Sequence, residues 1–103
     1  MSYSFITKDI ENLLRYNHKN TDFGTASIAN EPVVVKFFNP YGPGDWWAYS
    51  MDERGYIFGI ADIFTPEYGE VHIDELKQNG IERDICYTGP DTFAEVMIQQ
   101  KRR

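Results

Sequence analysis

The apolar positions near the N-terminus repeat with the period of an α-helix. They recur at three- and four-residue spacing, so that one helical face carries Ile6, Ile10, Leu13 and Leu14. Thr7 stands at the start of this run and can cap a helix through its hydroxyl. The pattern predicts a first helix over residues 7–17. The polar stretch 17–31 has no sustained period and predicts a long loop, with a short strand around residues 26–29.

The middle of the chain has the residue types of β-strands. Segments 33–38, 46–51 and 56–61 are rich in β-branched and aromatic residues, and turn-forming clusters at 39–44 and 52–55 separate them. Three such segments joined by short turns predict an antiparallel meander. We expect the first segment to be a central strand. The third has apolar residues on both faces, so both faces of the sheet are expected to be partly covered.

The C-terminal part of the chain mixes strand and helix signals. The turn-forming segment 65–69 is predicted to interrupt the meander, and residues 70–73 to form a further short strand. Residues 74–78 predict one or two helical turns, which end at Asn79-Gly80. Residues 81–87 alternate between two residue sets and predict a half-exposed strand.

A last helix is predicted after a capping box formed by Thr92 and Glu95. Its apolar face carries Phe93, Val96 and Met97. Helices at both ends of a run of strands indicate an α+β fold, an antiparallel sheet of about four to five strands with N- and C-terminal helices packed on it. The chain length fits one small domain over residues 1–103.

Composition limits the classes of function. The 103 residues are 42% hydrophobic and 16% aromatic, enough for a core that needs no metal or disulfide support. Sixteen acidic against ten basic residues give a formal net charge of -6, which opposes attraction to nucleic-acid phosphates. Direct nucleic-acid binding is therefore not expected. The basic cluster from Lys101 to Arg103 is interpreted as complementing the end of a helix dipole.

Cysteine content and the lack of long apolar runs suggest where the protein works. Cys86 is the single cysteine, which excludes an intramolecular disulfide and fits a reducing cytoplasm. We interpret it as a small buried hydrophobe rather than a nucleophile. No apolar stretch is long enough to span a bilayer, and the N-terminal residues do not resemble an export signal. A cytoplasmic protein without membrane association is expected.

The sequence contains no recognisable catalytic constellation. The run from His72 to Glu75 superficially offers metal ligands or an acid–base pair. Asp74 and Glu75 are more simply explained as negative charges in the first turn of a helix. No catalytic residue, metal site or cofactor is predicted. Whether the protein is an enzyme stays open, with a binding module favoured.

Arg83 stands between Glu82 and Asp84 on the predicted strand of residues 81–87. Neighbours on a strand point to opposite faces, so Arg83 cannot easily pair with either acid. Two interpretations stay open. Arg83 either forms a charge-assisted bond with a carboxylate on an adjacent strand, or it recognises an anionic group of a ligand together with its two neighbours.

Four aromatic residues around a Gly/Pro turn form a second candidate binding surface. They are Tyr41, Trp46, Trp47 and Tyr49. Adjacent tryptophans on a strand face opposite sides of the sheet, so one is expected in the core. The other would suit a partner interface, or stacking on a base or sugar. Packing beneath a terminal helix is the alternative.

The acidic residues are dispersed along the chain rather than gathered in one block, which is typical of a solvated surface. The same acids could also imitate the phosphates of a nucleic acid and occupy a basic groove on another protein. A protein partner, in particular a host defence or nucleic-acid-processing protein, is therefore a hypothesis that the charge supports.

Several short motifs occur in order along most of the chain. They are Thr7-Lys8-Asp9, Val35 to Pro40, Trp46-Trp47-Ala48, Phe58-Gly59, Tyr68-Gly69, Asp74-Glu75-Leu76 and Ile81-Glu82-Arg83-Asp84. In these motifs and their spacing the chain resembles the small bacterial proteins grouped as domain of unknown function 2958, often carried by plasmids, phages and integrative elements. Related sequences have an acidic residue near the end of the Trp-containing strand, where this chain has Ser50. The resemblance implies a mobile-element setting and brings no established activity.

The sequence leads to one favoured function and two alternatives. The favoured hypothesis is a non-catalytic protein-binding module of a mobile element, one use of which would be to inhibit a host defence system by occupying a basic surface. The first alternative is a small enzyme or ligand-binding domain with a polar pocket around Arg83. The second is a single-stranded nucleic-acid binder, which the net charge makes the weakest of the three.

Overall fold

The computed structural model describes residues 5–87 and 91–102. Its elements in chain order are α1 Lys8–Asn20, β1 Val35–Phe38, β2 Asp45–Met51, β3 Tyr56–Asp62, β4 Pro66–His72, α2 Ile73–Gln78, β5 Glu82–Arg83 and α3 Phe93–Lys101. The strands form one five-stranded sheet in the order β4-β3-β2-β1-β5, with every neighbouring pair antiparallel. The predicted α+β fold and the meander of β1, β2 and β3 are confirmed. The first of these strands is internal to the sheet, as predicted, because β1 pairs with β2 on one side and with β5 on the other.

Helix α1 begins at the predicted cap but ends later than the sequence suggested. The Thr7 hydroxyl accepts a hydrogen bond from the Ile10 amide at 3.2 Å. At the other end, Asn17 Nδ2 donates to the Tyr49 carbonyl at 2.8 Å, and Arg15 Nη1 donates to the Asp52 carbonyl at 3.0 Å. These polar contacts fix the C-terminal half of α1 to β2 and to the turn that follows it, and hydrophobic periodicity alone could not reveal them.

The predicted strand at residues 26–29 is wrong, because Asp22 folds the start of this segment into a turn. Its carbonyl accepts hydrogen bonds from the amides of Thr25 and Ala26, and its Oδ1 accepts one from the Gly24 amide at 3.0 Å. An aspartate that bonds the backbone two residues ahead competes with strand pairing. The loop is nevertheless anchored, since Ile28 is buried.

The sheet separates two apolar cores. One face packs with α1 and α2 around Leu14, Val35, Phe37, Ala48, Met51, Ile57, Ile73, Leu76 and Ile81. The other face packs with α3 and the loop after α1 around Ile28, Val33, Trp47, Tyr49, Ile60, Phe93 and Val96. We call these the first face and the second face. Because α3 is short, part of the second face stays open, and the candidate site lies there.

A β-bulge in β2 changes which residues reach the second face. Ala48 lies opposite Gly59 and Ser50 lies opposite Phe58, so that Tyr49 is an extra residue without a cross-strand partner. A bulge of this kind lets two consecutive side chains point to the same side. Tyr49 and Ser50 therefore both face the second face, and the Asn17 amide satisfies the displaced Tyr49 carbonyl.

Strand β4 is longer than predicted. Residues 65–69 do not interrupt the meander, since Pro66 pairs with Asp62 and the ladder continues through Gly69 to His72. The first position of an edge strand tolerates proline because its missing N–H breaks no ladder hydrogen bond. Because it contains turn-forming residue types, the first part of this seven-residue strand was predicted as a turn.

Strand β5 is shorter than predicted. Of residues 81–87 only Glu82 and Arg83 pair with β1. Asp84 then starts a turn in which its Oδ1 accepts from the Cys86 amide at 3.0 Å. The prediction that Cys86 is buried is wrong, because this turn leaves it exposed.

The last helix begins at the predicted cap. The Thr92 hydroxyl accepts a hydrogen bond from the Glu95 amide at 3.2 Å. Lys101 lies in the last turn of α3, where a cation complements the helix dipole. Arg103, the end of the basic cluster, lies outside the described residues.

Candidate functional site

The two tryptophans lie on opposite faces of β2, as neighbours on a strand must. Trp47 is buried on the second face, and the ammonium group of Lys36 lies 5.3 Å from its ring centroid. Trp46 is half-buried on the first face. It lines a cavity of about 510 Å³ next to α2, together with Leu76 and Ile81. Trp46 is therefore the one of the pair that reaches an open surface.

The two candidate tyrosines have different environments. Tyr41 is 84% exposed in the turn between β1 and β2. Tyr49 is buried, its hydroxyl lies 2.9 Å from Thr21 Oγ1, and its ring meets the edge of Phe93. Tyr49, like Trp47, holds the core together and presents no surface for a partner. Of the four aromatic candidates, only Tyr41 and Trp46 can contact another molecule.

The Glu82, Arg83 and Asp84 segment lies at the edge of the sheet beside β1. Arg83 is half-buried opposite Phe37, whereas Glu82 is exposed opposite Phe38. The Asp84 amide donates to the Lys36 carbonyl at 2.9 Å. Arg83, Asp84 and Lys36 line a cavity of about 230 Å³, and Glu82 does not reach it. This volume is smaller than the roughly 300–1,000 Å³ of a typical small-molecule site.

Tyr87, at the rim of the same cavity, is held in one protonation state. Burial raises the pKa of its hydroxyl to about 12, and the nearby carboxylate of Asp91 acts in the same direction. The hydroxyl therefore remains protonated at neutral pH. Tyr87 is not suited to act as a general base.

His72 has a structural role at the start of α2. Its Nδ1 accepts a hydrogen bond from the Asp74 amide at 3.1 Å, which caps α2, and its Nε2 lies 2.6 Å from the Arg54 carbonyl. Asp74 and Glu75 occupy the first turn of α2, as predicted. Both ring nitrogens are thus engaged by the backbone. Within residues 5–87 and 91–102, no group of three His, Cys, Asp or Glu side chains is arranged to hold a metal ion.

A groove on the second face was not found by the sequence analysis. Its walls are the rings of Phe23, Tyr56, Phe58 and Tyr68, and we call it the aromatic groove. Phe23 meets Phe58 edge-on with ring centroids 5.5 Å apart, and Phe58 stacks with Tyr68 at 6.3 Å. Cavities of about 400 and 350 Å³ lie along it. Strand alternation puts Tyr56 and Phe58 on one face of β3, but nothing in the sequence indicates that Tyr68 lies beside them.

Acidic groups and one hydroxyl complete the larger cavity of the aromatic groove. It is lined by Ser50, Asp52, Glu70 and the imidazole of His18, as well as by aromatic rings. Ser50 is 1% exposed and forms the floor, whereas Glu70 lies opposite Phe58 on β4 and is exposed. Two carboxylates beside aromatic rings give this cavity a negative potential.

Asp52 is ionised because the turn between β2 and β3 stabilises its charged form. Its Oδ1 accepts hydrogen bonds from the amides of Tyr56 and Arg54, both at 2.9 Å. The bond from the Tyr56 amide is the main cause that lowers the pKa of this carboxyl. Gly55 supplies the positive φ of 93° that the turn requires.

Replacing Asp52 with alanine is expected to lower the free energy of unfolding by about 1–2 kcal/mol at pH 7, since two amides lose their acceptor. Folding lowers the pKa of Asp52, so its contribution is complete above the unfolded value of about 3.9 and is lost as pH falls through the folded value. Urea unfolding should be measured from pH 7 to pH 2.5. The difference in free energy of unfolding between Asp52→Ala and the wild type should become smaller below about pH 4. Glu31→Gln, at an exposed site, should change stability by less than about 0.5 kcal/mol. A constant Asp52→Ala deficit across this range would contradict the assignment.

The edge strand β4 borders the aromatic groove. It pairs with β3 on one side, no other described strand pairs with its outer side, and residues 67–70 are exposed. The loop that leads into it carries Phe64, which is 93% exposed, and Ile63, which is 45% exposed. Glu67 and Glu70 project from β4 to opposite faces, because they lie opposite Ala61 and Phe58 respectively. An open edge, exposed apolar residues and two carboxylates therefore form one continuous surface.

Comparison with known proteins gives a family and no activity. None of the described helices is long and apolar enough to cross a membrane. No curated protein and no solved structure was found to match the chain. The family model described as "Protein of unknown function (DUF2958)" matches residues 5–101. Because this match spans almost the whole chain, the protein belongs to that family, as its motifs indicated.

Proposed function

We propose that this protein is a non-catalytic binding module that takes up a basic, extended segment of a protein partner along the open edge of β4. The observation that carries the proposal is a seven-residue edge strand with acidic side chains on both faces and an exposed phenylalanine at its entrance. Exposed strand edges can add a strand from another chain, in which main-chain hydrogen bonds give affinity and alternate side chains give specificity.

The charge of this surface favours a basic protein segment over a nucleic acid. Glu67 and Glu70 would meet cationic side chains on both faces of an added strand. The same carboxylates, together with a net charge of -6, would repel a phosphate backbone. Opposite charges directly across a strand pair are favourable, whereas like charges are not.

The proposed cellular setting is the cytoplasm of a bacterium that carries a mobile element. The family resemblance suggests the mobile element, and the single cysteine fits a reducing compartment. Host defence and nucleic-acid-processing proteins carry basic surfaces built to hold phosphates, so a partner of this class would fit an acidic edge. Inhibition would follow from occupancy of that surface, without any reaction.

Selection from a random peptide library displayed on phage tests the proposal without a known partner. We expect enriched peptides that are extended and basic, with Lys or Arg at alternate positions, and hydrogen exchange should show new protection of β4 amides in the complex. Replacing both Glu67 and Glu70 with glutamine should weaken binding about tenfold, given roughly 0.2–1 kcal/mol for each exposed charge pair.

The matched control removes the same amount of negative charge from another part of the surface. Asp9→Asn combined with Glu31→Gln removes two exposed acids outside β4, and it should alter affinity less than about twofold at moderate salt. Selected peptides without basic enrichment, or equal losses in both double variants, would overturn the proposal. In that case Glu67 and Glu70 only prevent edge-to-edge aggregation, which charged residues on edge strands commonly do.

A further inference from the structure

The larger cavity of the aromatic groove has the dimensions of a pocket for one side chain. Its volume is about 400 Å³, and it opens where α3 no longer covers the second face. The walls are Phe23 from the loop after α1, Tyr56 and Phe58 from β3, and His18 from α1, whose ring stacks on Phe23. Because these residues come from separate parts of the chain, the cavity exists only in the folded protein.

The aromatic walls can hold a cation. A guanidinium or ammonium group within about 6 Å of a ring centroid is attracted by the negative face of the ring. The protein already contains such a contact beside the cavity, since the Arg54 guanidinium carbon lies 5.2 Å from the Tyr56 ring centroid. A second cation would meet the parts of the Phe23 and Phe58 rings that the stacked rings of His18 and Tyr68 leave open, rather than the ring that Arg54 covers.

Two basic side chains lie near Asp52, since His18 lines the cavity and Arg54 forms an ion pair with this carboxylate, but neither of them pairs with Glu70. Asp52 is ionised, and Arg54 approaches its Oδ2 only at 3.9 Å. Among the residues that the structure describes, Glu70 forms no ion pair. A positively charged ligand would therefore complete the electrostatics of this cavity, whereas an anion would face two carboxylates.

The floor of the cavity favours a ligand with several N–H donors. Ser50 is 1% exposed, and its hydroxyl makes no hydrogen bond with the residues that the structure describes. A buried hydroxyl usually finds a partner, so an arriving donor would satisfy it. An arginine side chain has five N–H donors in a plane that can also stack on a ring, and lysine lacks this geometry.

We infer that this cavity is a binding site for an arginine side chain, held against the rings of Phe23 and Phe58 by the carboxylate of Glu70 and the hydroxyl of Ser50. The inference rests on the proposed function in one respect, because the arginine would belong to the segment that adds to β4. Glu70 lies on that strand, so every second side chain of an added strand would point towards the cavity.

NMR titration with N-acetyl-arginine methylamide tests the site, with the neutral citrulline analogue as the control ligand. We expect saturable shifts of the Phe23, Tyr56 and Phe58 ring signals, with a dissociation constant on the order of 1 mM that weakens with salt. The citrulline analogue should produce no saturable shift. Equal responses to both ligands, or none to arginine, would overturn the inference.

Two substitutions on the same strand provide the matched comparison. Glu70→Gln should weaken arginine binding about fivefold, whereas Glu67→Gln, which faces the other side of the sheet, should leave it within about twofold. Equal effects of the two would indicate general attraction to an acidic protein and would overturn the site. Fingerprint spectra of both variants verify the fold.

The failure of this inference is distinguishable from the failure of the proposed function. If the arginine derivative binds at the cavity but the peptide selection yields no basic peptides, the arginine site is retained and the proposed binding at the edge of β4 is overturned. Basic peptides that protect β4 while the arginine derivative leaves the ring signals unchanged would retain the edge proposal and overturn the site.

Discussion

The Gly59→Ala variant is expected to lose about 3 kcal/mol or more of its free energy of unfolding, beyond the usual range for overpacking. A Cβ at this position would overlap the Trp47 carbonyl oxygen and lie 2.9 Å from its carbonyl carbon. Both are backbone atoms of β2 beside the bulge, so no side-chain rotation can relieve the overlap. Chemical denaturation would measure the loss, and a midpoint of thermal unfolding lower by at least about 12 °C should accompany it.

The control for Gly59 is its own cross-strand partner. Gly69 lies directly opposite on β4, and a Cβ there would meet nothing within 4 Å. Gly69→Ala should therefore change stability by less than about 1 kcal/mol, and a small gain is consistent with the lower entropy of the unfolded chain. Similar losses in the two variants would show that the close approach of β2 to β3 is not the reason for glycine at residue 59.

Truncating Phe37 to alanine is expected to cost about 3–5 kcal/mol, the range for a large aromatic side chain in a core. Phe37 is 0% exposed at the centre of the first face, and its ring stacks on Phe5 with centroids 4.9 Å apart. The loss comprises the transfer of the ring to water and a cavity that the sheet cannot close. Urea unfolding monitored by circular dichroism would measure it.

Phe64 provides the matched control, since it is the same residue type at 93% exposure. Phe64→Ala should change the free energy of unfolding by less than about 0.5 kcal/mol. The same variant should weaken binding of the peptides described above if Phe64 contacts the added segment. A loss of several kcal/mol for Phe64→Ala would mean that this residue packs inside the protein, and the edge of β4 would then be less accessible than the structure indicates.

Local patterns were sufficient to predict much of the fold. Thr7 and Thr92 act as helix caps because a hydroxyl next to free amides is a short-range interaction. The meander of β1, β2 and β3 follows from strand-forming segments and short turns, which are also local. The helices at both ends and the antiparallel sheet could therefore be expected before the structure was known.

The candidate site depends on contacts between distant parts of the chain, and these were not predictable. Residues 65–69 contain proline and glycine and resemble a loop, yet pairing with β3 makes them strand and brings Tyr68 and Glu70 next to Phe58. Phe23 reaches the same groove from a loop that Asp22 shapes. Cross-strand pairing and loop packing overrode local preference here.

The bulge in β2 also determines which side chains of this strand enter the core and which line the aromatic groove. Because Tyr49 is an extra residue, it can fill the core beside Phe93 while Ser50, the next residue, opens into the groove. Deleting Tyr49 would restore regular alternation, and Ser50 would then follow Ala48 directly and stay on the opposite, second face. The groove would keep its hydroxyl floor, whereas the core beside Phe93 would lose the tyrosine ring. The single inserted residue thus allows β2 to supply a core ring and a groove hydroxyl at consecutive positions.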